Sequence, residues 1–527
     1  MCSYPCRISD GSLLRTDWCS GSFSRGRRLN IDELTIANVF RNAGYATGAF
    51  GKWHNGTQHP YHPNARGFDE YYGFTSGHWG HYFDTMMDHN GVITRGEGFI
   101  IDDLTNHALE FISENAAEKK PFFCYLPYNT PHSPMQVPDE FYDRVKDREL
   151  KMHHRDPEKE DELHLRAALA MCENIDWNVG RVLDHLDKLN LAEETIVLYF
   201  SDNGPNGWRW NGDMKGRKGT IDEGGVRVPC LVRWKGKIPA ETKITPIAGA
   251  IDLLPMLTSL AGIQFEAIRP VDGENLAPIL LGDENSLPDR EIISYQPPRE
   301  RGGKITAPSV SVRSQNFRLD PAGHLFDMQE DPGQRVNVAR QHPDVVKELK
   351  HTADNFIAEL GEIPTKDTRP FPIGGSSITI LPARDGVEHG SVKRSTSAPN
   401  CSYFTHWTGA EDNRITWNVE VLEPGDYEVS IYYACPAKDV GSTFELTLIG
   451  SRIEGKVEVA NDPPLVGAEF DRTPDRGGES YVKDWKSLDV GSLNLNQGVG
   501  ELTLRALEVT GDEVMEVRLI QLLKKQK

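Results

Sequence analysis

The sequence predicts an α/β domain with a mostly parallel sheet flanked by helices, then a small α+β unit and an all-β sandwich. Three observations predict this order. Apolar strand-like runs alternate with helical patterns between residues 31 and 260; short strands precede one helix between about Arg290 and Leu360; and from Ser377 the pattern has a period of two. Runs that are apolar throughout suit parallel strands covered on both faces, whereas alternation suits antiparallel strands with one wet face. At 527 residues the chain also exceeds what one hydrophobic core usually organises.

Taken in order, Ile31 to Ala43 (IDELTIANVFRNA) reads as an amphipathic helix and Ala46 to Phe50 as a short strand. Leu104 to Glu114 reads as a helix, and Pro121 to Leu126 (PFFCYL) as an apolar strand. A long helix over His164 to Leu189 precedes Thr195 to Phe200 (TIVLYF), which reads as a fully buried strand. The α/β domain is expected over 1–285 and its smaller companion over 286–362, with strands EIISY and SVSVRS and a helix from Pro343. The Pro/Gly-rich stretch 363–376 reads as a linker. Beyond it, Ile415 to Val421, a Pro-Gly turn and Tyr427 to Tyr433 form a strand–turn–strand unit, continued by four further strands. The 377–527 region is therefore expected to be an antiparallel sandwich.

Hydrophobic content of 38% with 26% charged residues is that of a globular protein, and the formal charge of −20 argues against binding nucleic acid through its phosphates. A local basic pocket for an anion remains compatible with that net charge. No apolar run reaches the roughly 20 residues of a membrane span, and Met1 to Arg7 lacks the apolar core of a signal peptide. The eight cysteines form no CxxC pair and read mostly as small buried hydrophobes.

Three polar clusters each follow a predicted strand. Gly51-Lys52-Trp53-His54, Asn129-Thr130-Pro131-His132 and Ser201-Asp202-Asn203-Gly204 would all reach the carboxyl ends of the sheet, where open α/β sheets bind ligands. Each alone reads as an ordinary loop; their coincidence is the signal. Asp202 and Asn203 offer hard oxygens suited to Ca²⁺ or Mg²⁺. Lysines and histidines would meet charge on the oxygens of a sulfuryl or phosphoryl group. A basic segment, Met214 to Gly219, runs into Asp222-Glu223-Gly224-Gly225-Val226-Arg227-Val228-Pro229. Aromatic and basic residues at His78, Trp79, His81, Trp208, Arg209 and Trp210 lie near the motifs, either as sugar contacts or as loop anchors.

GKWH, NTPHSP, SDNG and KGxxxEGGxRVP, in this order and spacing, resemble the formylglycine-dependent sulfatases of the alkaline phosphatase superfamily. The resemblance covers roughly residues 15 to 360. It implies a sulfuric ester hydrolase in which Lys52 and His54 orient a formylglycine hydrate. His132 and Lys218 would bind the sulfate oxygens, one of them assisting the leaving alcohol, and Asp202 and Asn203 would be two ligands of Ca²⁺, or Mg²⁺ in its place. It further implies a sulfated small molecule or polysaccharide as substrate and a periplasmic or secreted location. A phosphatase or phosphonate hydrolase of the same superfamily is a second reading. A protein whose active part is the sandwich is a third, since ITWNVEVLEPGDYEVSIYYAC resembles galactose-binding-like and carbohydrate-binding sandwiches.

The family's opening strand, which ends in two metal-binding Asp residues, has no counterpart before Lys52. Two readings of the nucleophile stay open. Ser3 in Ser3-Tyr4-Pro5-Cys6-Arg7 fits Ser-x-Pro-x-Arg, but Ile8 to Leu14 does not continue the motif. A frame shifted by one base explains more: permitted codons through Ser12 can then read Cys-Ala-Pro-Thr-Arg-Ala-Ala-Ser-Leu-Thr-Gly-Arg, the complete family signature. On that reading residues 1 to about 14 are an out-of-frame start. A polypeptide with this sequence is expected to lack the first strand, two metal ligands and the nucleophile, and to show little or no turnover.

Overall fold

The computed structural model describes residues 28–525, apart from 284–285, 299, 302–303, 362–366 and 477–478. Helix α1 spans Ile36–Asn42, later than the expected Ile31 start. Its boundary is set by a reciprocal cap: Asn38 N donates to Thr35 Oγ1 at 3.0 Å, and Thr35 N donates to Asn38 Oδ1 at 3.2 Å. That cap satisfies first-turn amides which an apolar residue at position 35 could not.

Strand β1 (Ala46–Lys52) is the hub of a five-stranded sheet. It pairs in parallel with β2 (Glu70–Phe74) on one side and β5 (Phe122–Tyr125) on the other. Strand β3 (Met86–His89) runs antiparallel to β2, and β4 (Val92–Arg95) antiparallel to β3. The central pairs are parallel, as expected, and the sheet becomes mixed only at one edge, where β3 and β4 form a hairpin through the tight turn at Asn90 and Gly91. Antiparallel pairing needs only such a hairpin, whereas a parallel return would need a crossover.

Helices α2 (Ile100–Ala117) and α4 (Glu162–Lys188) cover one face. Leu104, Phe111 and Met171 pack there against Phe50, Tyr72 and Phe74. The short α3 (Asp139–Val145) joins this layer through Phe141 and Val145. The opposite face is covered by α1, α6 (Leu253–Leu260) and α7 (Ala277–Leu281). Between them α5 (Glu223–Val226) is a single turn.

Strand β6 (Val197–Phe200) corrects a second expectation. It is half-buried rather than fully buried, and it pairs antiparallel with β7 (Cys230–Arg233). Among the described residues β5 pairs only with β1, and β6 only with β7. Even so, both lie in one layer. Phe123 of β5 and Leu198 and Phe200 of β6 point to the α1/α6 core, while Phe122, Cys124 and Val197 point to the α2/α4 core. Apolar side chains alternate between two covered faces here, which is why both strands read as continuous apolar runs.

The companion unit is a four-stranded antiparallel sheet of β8 (Ile292–Gln296), 309–313, 317–319 and 325–327, covered by α8 (Pro343–Leu360) through Leu349, Phe356 and Leu360. Two six-stranded sheets follow. In 425–434, Tyr427, Val429, Ile431 and Tyr433 alternate inward into a core with Phe404, Trp407 and Trp417. Within the expected linker, Phe371–Ile373 forms an edge strand pairing in parallel with 414–421. Pro372 is tolerated because an edge strand leaves an amide position free. Arg28 fastens the preceding segment: its guanidinium pairs with Asp367 at 3.0 Å and donates to the carbonyls of Arg369 and Pro370. No described helix is long and apolar enough to cross a membrane.

Candidate active site

The three motif segments leave the carboxyl ends of β1, β5 and β6. Lys52 ends β1, its amide donating to Pro127 O at 3.0 Å. Gly51 before it has φ 141°, and a Cβ there would sit 2.3 Å from Pro127 O, so the approach of β1 to the β5 loop requires glycine. His54 adopts φ 57°, an uncommon conformation for histidine, and its ring packs on Gly77, where any Cβ would meet ring atoms at 2.6 Å. A non-glycine residue held left-handed at a strand end is the kind of strain that functional sites retain.

His132 follows β5. Its Nδ1 lies 2.8 Å from Ser133 O. A carbonyl can only accept, so Nδ1 carries the proton and Nε2 of the neutral ring presents a lone pair. After β6, Gly204 N donates to Gly225 O at 3.1 Å, and a Cβ on Gly204 would lie 1.9 Å from Gly224 O. The SDNG turn and the EGG turn of α5 are therefore pressed backbone to backbone. Lys218 N donates to Pro205 O at 2.9 Å, which holds the basic loop over the same turn.

These residues share one electrostatic environment. Burial lowers the His132 imidazole well below its ordinary value, and Lys218, Lys52 and His78 lower it further. His78, in the loop after β2, is pushed down to about 3 by burial, with Lys52 and Lys218 adding to the effect. Burial alone would raise the Asp202 carboxyl, but Lys52 and Lys218 outweigh it and hold it below its ordinary range. Asp202 keeps an open surface of its own while protein crowds around it. The Lys218 ammonium is pushed down to about 8 by burial, against the pull of Asp202 and with the push of Lys52. Lys52, His132, Asp202 and Lys218, singled out from separate motifs, thus converge. Cations gathered around a partly open floor can meet the negative charge on the oxygens of a sulfuryl or phosphoryl group.

The other parts of the motifs hold the loops in place. Glu223 of EGG is buried and takes both Nε (3.0 Å) and Nη2 (2.8 Å) of Arg318 on one oxygen, with Arg313 at 3.7 Å and Arg227 on its other oxygen at 3.4 Å. It ties the basic loop to the companion sheet. Lys215 pairs with Asp222 at 3.0 Å, and Arg217 lies over the Trp208 ring at 4.6 Å. Trp79 is a core anchor, donating to Thr85 Oγ1 at 2.9 Å and stacked on Phe74.

Asp202 and the buried Asn203 offer two hard oxygens, fewer than the six to eight that Ca²⁺ takes. Among the described residues the one group of three potential metal ligands is His78, His132 and Glu479, which does not include Asp202. Ser3 and the alternative opening motif lie outside the described residues.

Two partners had no signal at the level of motifs. Asn400 Nδ2 donates to His78 Nδ1 at 2.9 Å, and Glu479 accepts from Ser133 Oγ at 2.8 Å. Both come from connections between the C-terminal strands, more than 300 residues along the chain from His78 and His132.

The chain is similar to known proteins. The family model described as Sulfatase matches residues 14–263. N-acetylgalactosamine-6-sulfatase of Canis lupus familiaris is 28% identical over 375 residues, covering 66% of each chain. Human arylsulfatase A is 29% identical over 385 residues, covering 62% of this chain and 71% of its own. The solved structure of Ps i-CgsB aligns with TM-score 0.58 at 26% identity, over 69% of this chain and 84% of its own, and a second structure of it contains k-i-k-neocarrahexaose. This chain spans 63–66% of the length of the N-acetylgalactosamine-6-sulfatases it matches. Residues 14–263 thus form a domain that matches the sulfatase family, and these relatives and the Ps i-CgsB fold are similar to this chain in the same sense.

Proposed function

We propose that the site binds and hydrolyses the sulfate ester of a sulfated carbohydrate. The observation that carries this reading is the convergence of Lys52, His132 and Lys218 with Asp202 at the ends of β1, β5 and β6. Relatives that act on sulfated amino sugars, and one solved with a carrageenan-type oligosaccharide, support the substrate class by their names. The same reading keeps 377–527 as a carbohydrate-binding or galactose-binding-like domain and puts the protein in the periplasm or outside the cell.

In this reading Asp202 and Asn203 would hold part of a Ca²⁺ ion, or Mg²⁺. With a formylglycine hydrate, the metal would supply an activated hydroxyl as nucleophile. Lys52 and His54 would orient that hydroxyl. Lys218 Nζ, a cation at neutral pH, is the group able to protonate the leaving alcohol. Neutral His132 has its proton on Nδ1, committed to Ser133 O, so it donates to a sulfate oxygen only once an incoming anion has offset the two lysines and charged it.

Titration calorimetry with inorganic sulfate tests this without requiring turnover. Lys218→Ala should weaken sulfate binding by about tenfold to a hundredfold, the range for losing a charged hydrogen bond. Wild-type affinity should decline as pH rises through about 8, where Lys218 loses its charge. An unchanged affinity in Lys218→Ala would remove the basis of the reading.

A further inference from the structure

The stretch 457–485 joins a strand of one C-terminal sheet to a strand of the other. Among its described residues its regular structure is limited to a three-residue 3-10 turn at Ala468–Phe470, and connections this long with so little structure are uncommon in compact domains and usually functional. This one is built against the hydrolase part. Arg476 makes a two-pronged pair with Asp471 (2.6 and 2.9 Å), donates to Gly80 O at 2.6 Å and lies 3.9 Å over Tyr481. Gln136 donates to Gly467 O at 2.7 Å and to Asp471 Oδ1 at 2.9 Å. Arg472 N donates to Met135 O at 2.9 Å, and Phe470 stacks on Phe83 at 4.3 Å.

This fastening delivers one acid to the sulfate site. Glu479 Oε1 accepts from Ser133 Oγ and lies 3.7 Å from His132 Nδ1. Its Oε2 is buried without a protein partner, as is Nε2 of His78. With Asn400 donating to Nδ1, the neutral His78 carries its proton on Nε2; Glu479, when neutral, carries its own on Oε2 because Oε1 accepts from Ser133, so two buried donors lack protein acceptors. Nitrogens of His78 and His132 and an oxygen of Glu479 lie within 4.8 Å of one another. A metal ion is a poor occupant, because Lys52 and Lys218 already make the surroundings positive enough to lower both imidazoles. A neutral hydroxyl, whose oxygen has two lone pairs to accept with, matches the pair.

We propose that Glu479 is a specificity-determining residue of the sulfate site, its carboxyl holding a hydroxyl of the sulfated sugar beside the ester. The inference rests on the sulfatase reading above. The site would then be shared: the sheet motifs take the sulfate and the sandwich loop reads the sugar. Facing Glu479 are His78, His132 and Ser133 from the loops after β2 and β5, Lys218 from the basic loop, Tyr82, Cys401, and Arg476 and Asp471 from its own loop. Burial raises its carboxyl to about 7, opposed by Ser133, Arg476 and Lys218. Below that pH it is neutral and does not repel the sulfate; above it, the charge does.

The test is calorimetry on the full chain with inorganic sulfate, galactose 4-sulfate and galactose 6-sulfate at pH 6 and pH 8. At pH 6 Glu479→Ala should lose at least tenfold in affinity for whichever sugar sulfate binds more tightly, while inorganic sulfate changes by less than twofold. Glu479→Gln, which mimics the neutral carboxyl, should retain sugar affinity within threefold at pH 6 and fall less steeply than wild type towards pH 8. Equal losses for sugar and inorganic sulfate, an unaffected Glu479→Ala, or sugar sulfates that bind no better than sulfate would each overturn the inference while leaving the sulfatase reading intact. A wild-type chain that binds no sulfate overturns both.

Discussion

The molecule contains two β-rich cores that are completed to different degrees. In the C-terminal sheets Trp407, Trp417, Phe404 and Ile431 are fully buried, and inward and outward residues alternate cleanly. In the middle of the α/β layer, every residue of β6 and three of four in β5 are only half-buried, although their side chains point into the same two cores. In the first region the inner strands are paired on both sides; in the other, the apolar strands β5 and β6 each have a described partner on one side alone. Packing should therefore contribute more per side chain in the appended sheets than in the layer that carries the candidate site.

The largest effect should come from the sandwich core. Trp417→Ala removes a fully buried indole whose Nε1 donates to Pro382 O at 3.1 Å, and should cost about 3–5 kcal/mol. Phe123→Ala in β5 removes a half-buried ring and should cost about 1–2 kcal/mol. Denaturant titration followed by tryptophan fluorescence measures both. Equal costs would break the comparison and mean that β5 is as tightly held as the sandwich.

Next comes the ion-pair hub. Glu223→Ala strands Arg318, 3% exposed, without its carboxylate, and breaking a buried pair from one side costs about 3 kcal/mol. The damage should stay in the α/β part and displace the Lys218 loop, so sulfate affinity should drop along with the first unfolding transition. A drop in stability with unchanged sulfate binding would show that the loop is held by Pro205 and the backbone contacts of Gly204 instead.

How much of this was legible in the sequence follows the same divide. The alternation of Tyr427, Val429, Ile431 and Tyr433 is a local signal and marked the sandwich strands within two residues. The strand-end motifs were legible because the fold rule sends the carboxyl ends of strands to one rim, so Lys52, His54, His132, Asp202 and Asn203 could be grouped before any distance was known, whereas Lys218 entered only through the resemblance of KGxxxEGGxRVP. The half-burial of β6 was not legible, since an apolar run states what the side chains prefer and says nothing about the strand's backbone partners. The strand at Phe371–Ile373 was hidden by its Pro372, which reads as a linker unless the edge position is known. Glu479 was hidden most completely: a lone acid in a polar loop has no motif, and its meaning comes from Arg476, Asp471 and Gln136 fixing that loop to distant segments. Its sequence trace was indirect, an unusually long interval between strands of regular spacing.

The smallest effect sharpens the comparison at the seam between the two regions. Phe470 is half-buried, stacked on Phe83 at 4.3 Å and set against His81 at 5.5 Å, where the sandwich loop meets the α/β part. Stacked aromatic pairs contribute about 0.5–1.5 kcal/mol beyond area burial, so Phe470→Ala should cost about 1 kcal/mol, and the cost should fall on the docking of the loop alone. The backbone bridge between Val466 and Val482 closes the loop on itself, so its shape should survive. Hydrogen exchange of amides in 466–482 should speed up about fivefold while the sandwich strands and α2 stay protected. If protection falls equally in the sandwich strands, the loop is part of that core rather than a separate reach from it. Glu479 would then be held at the sulfate site by the whole sandwich, and the division between a finished accessory fold and an open catalytic layer would give way to one cooperative unit.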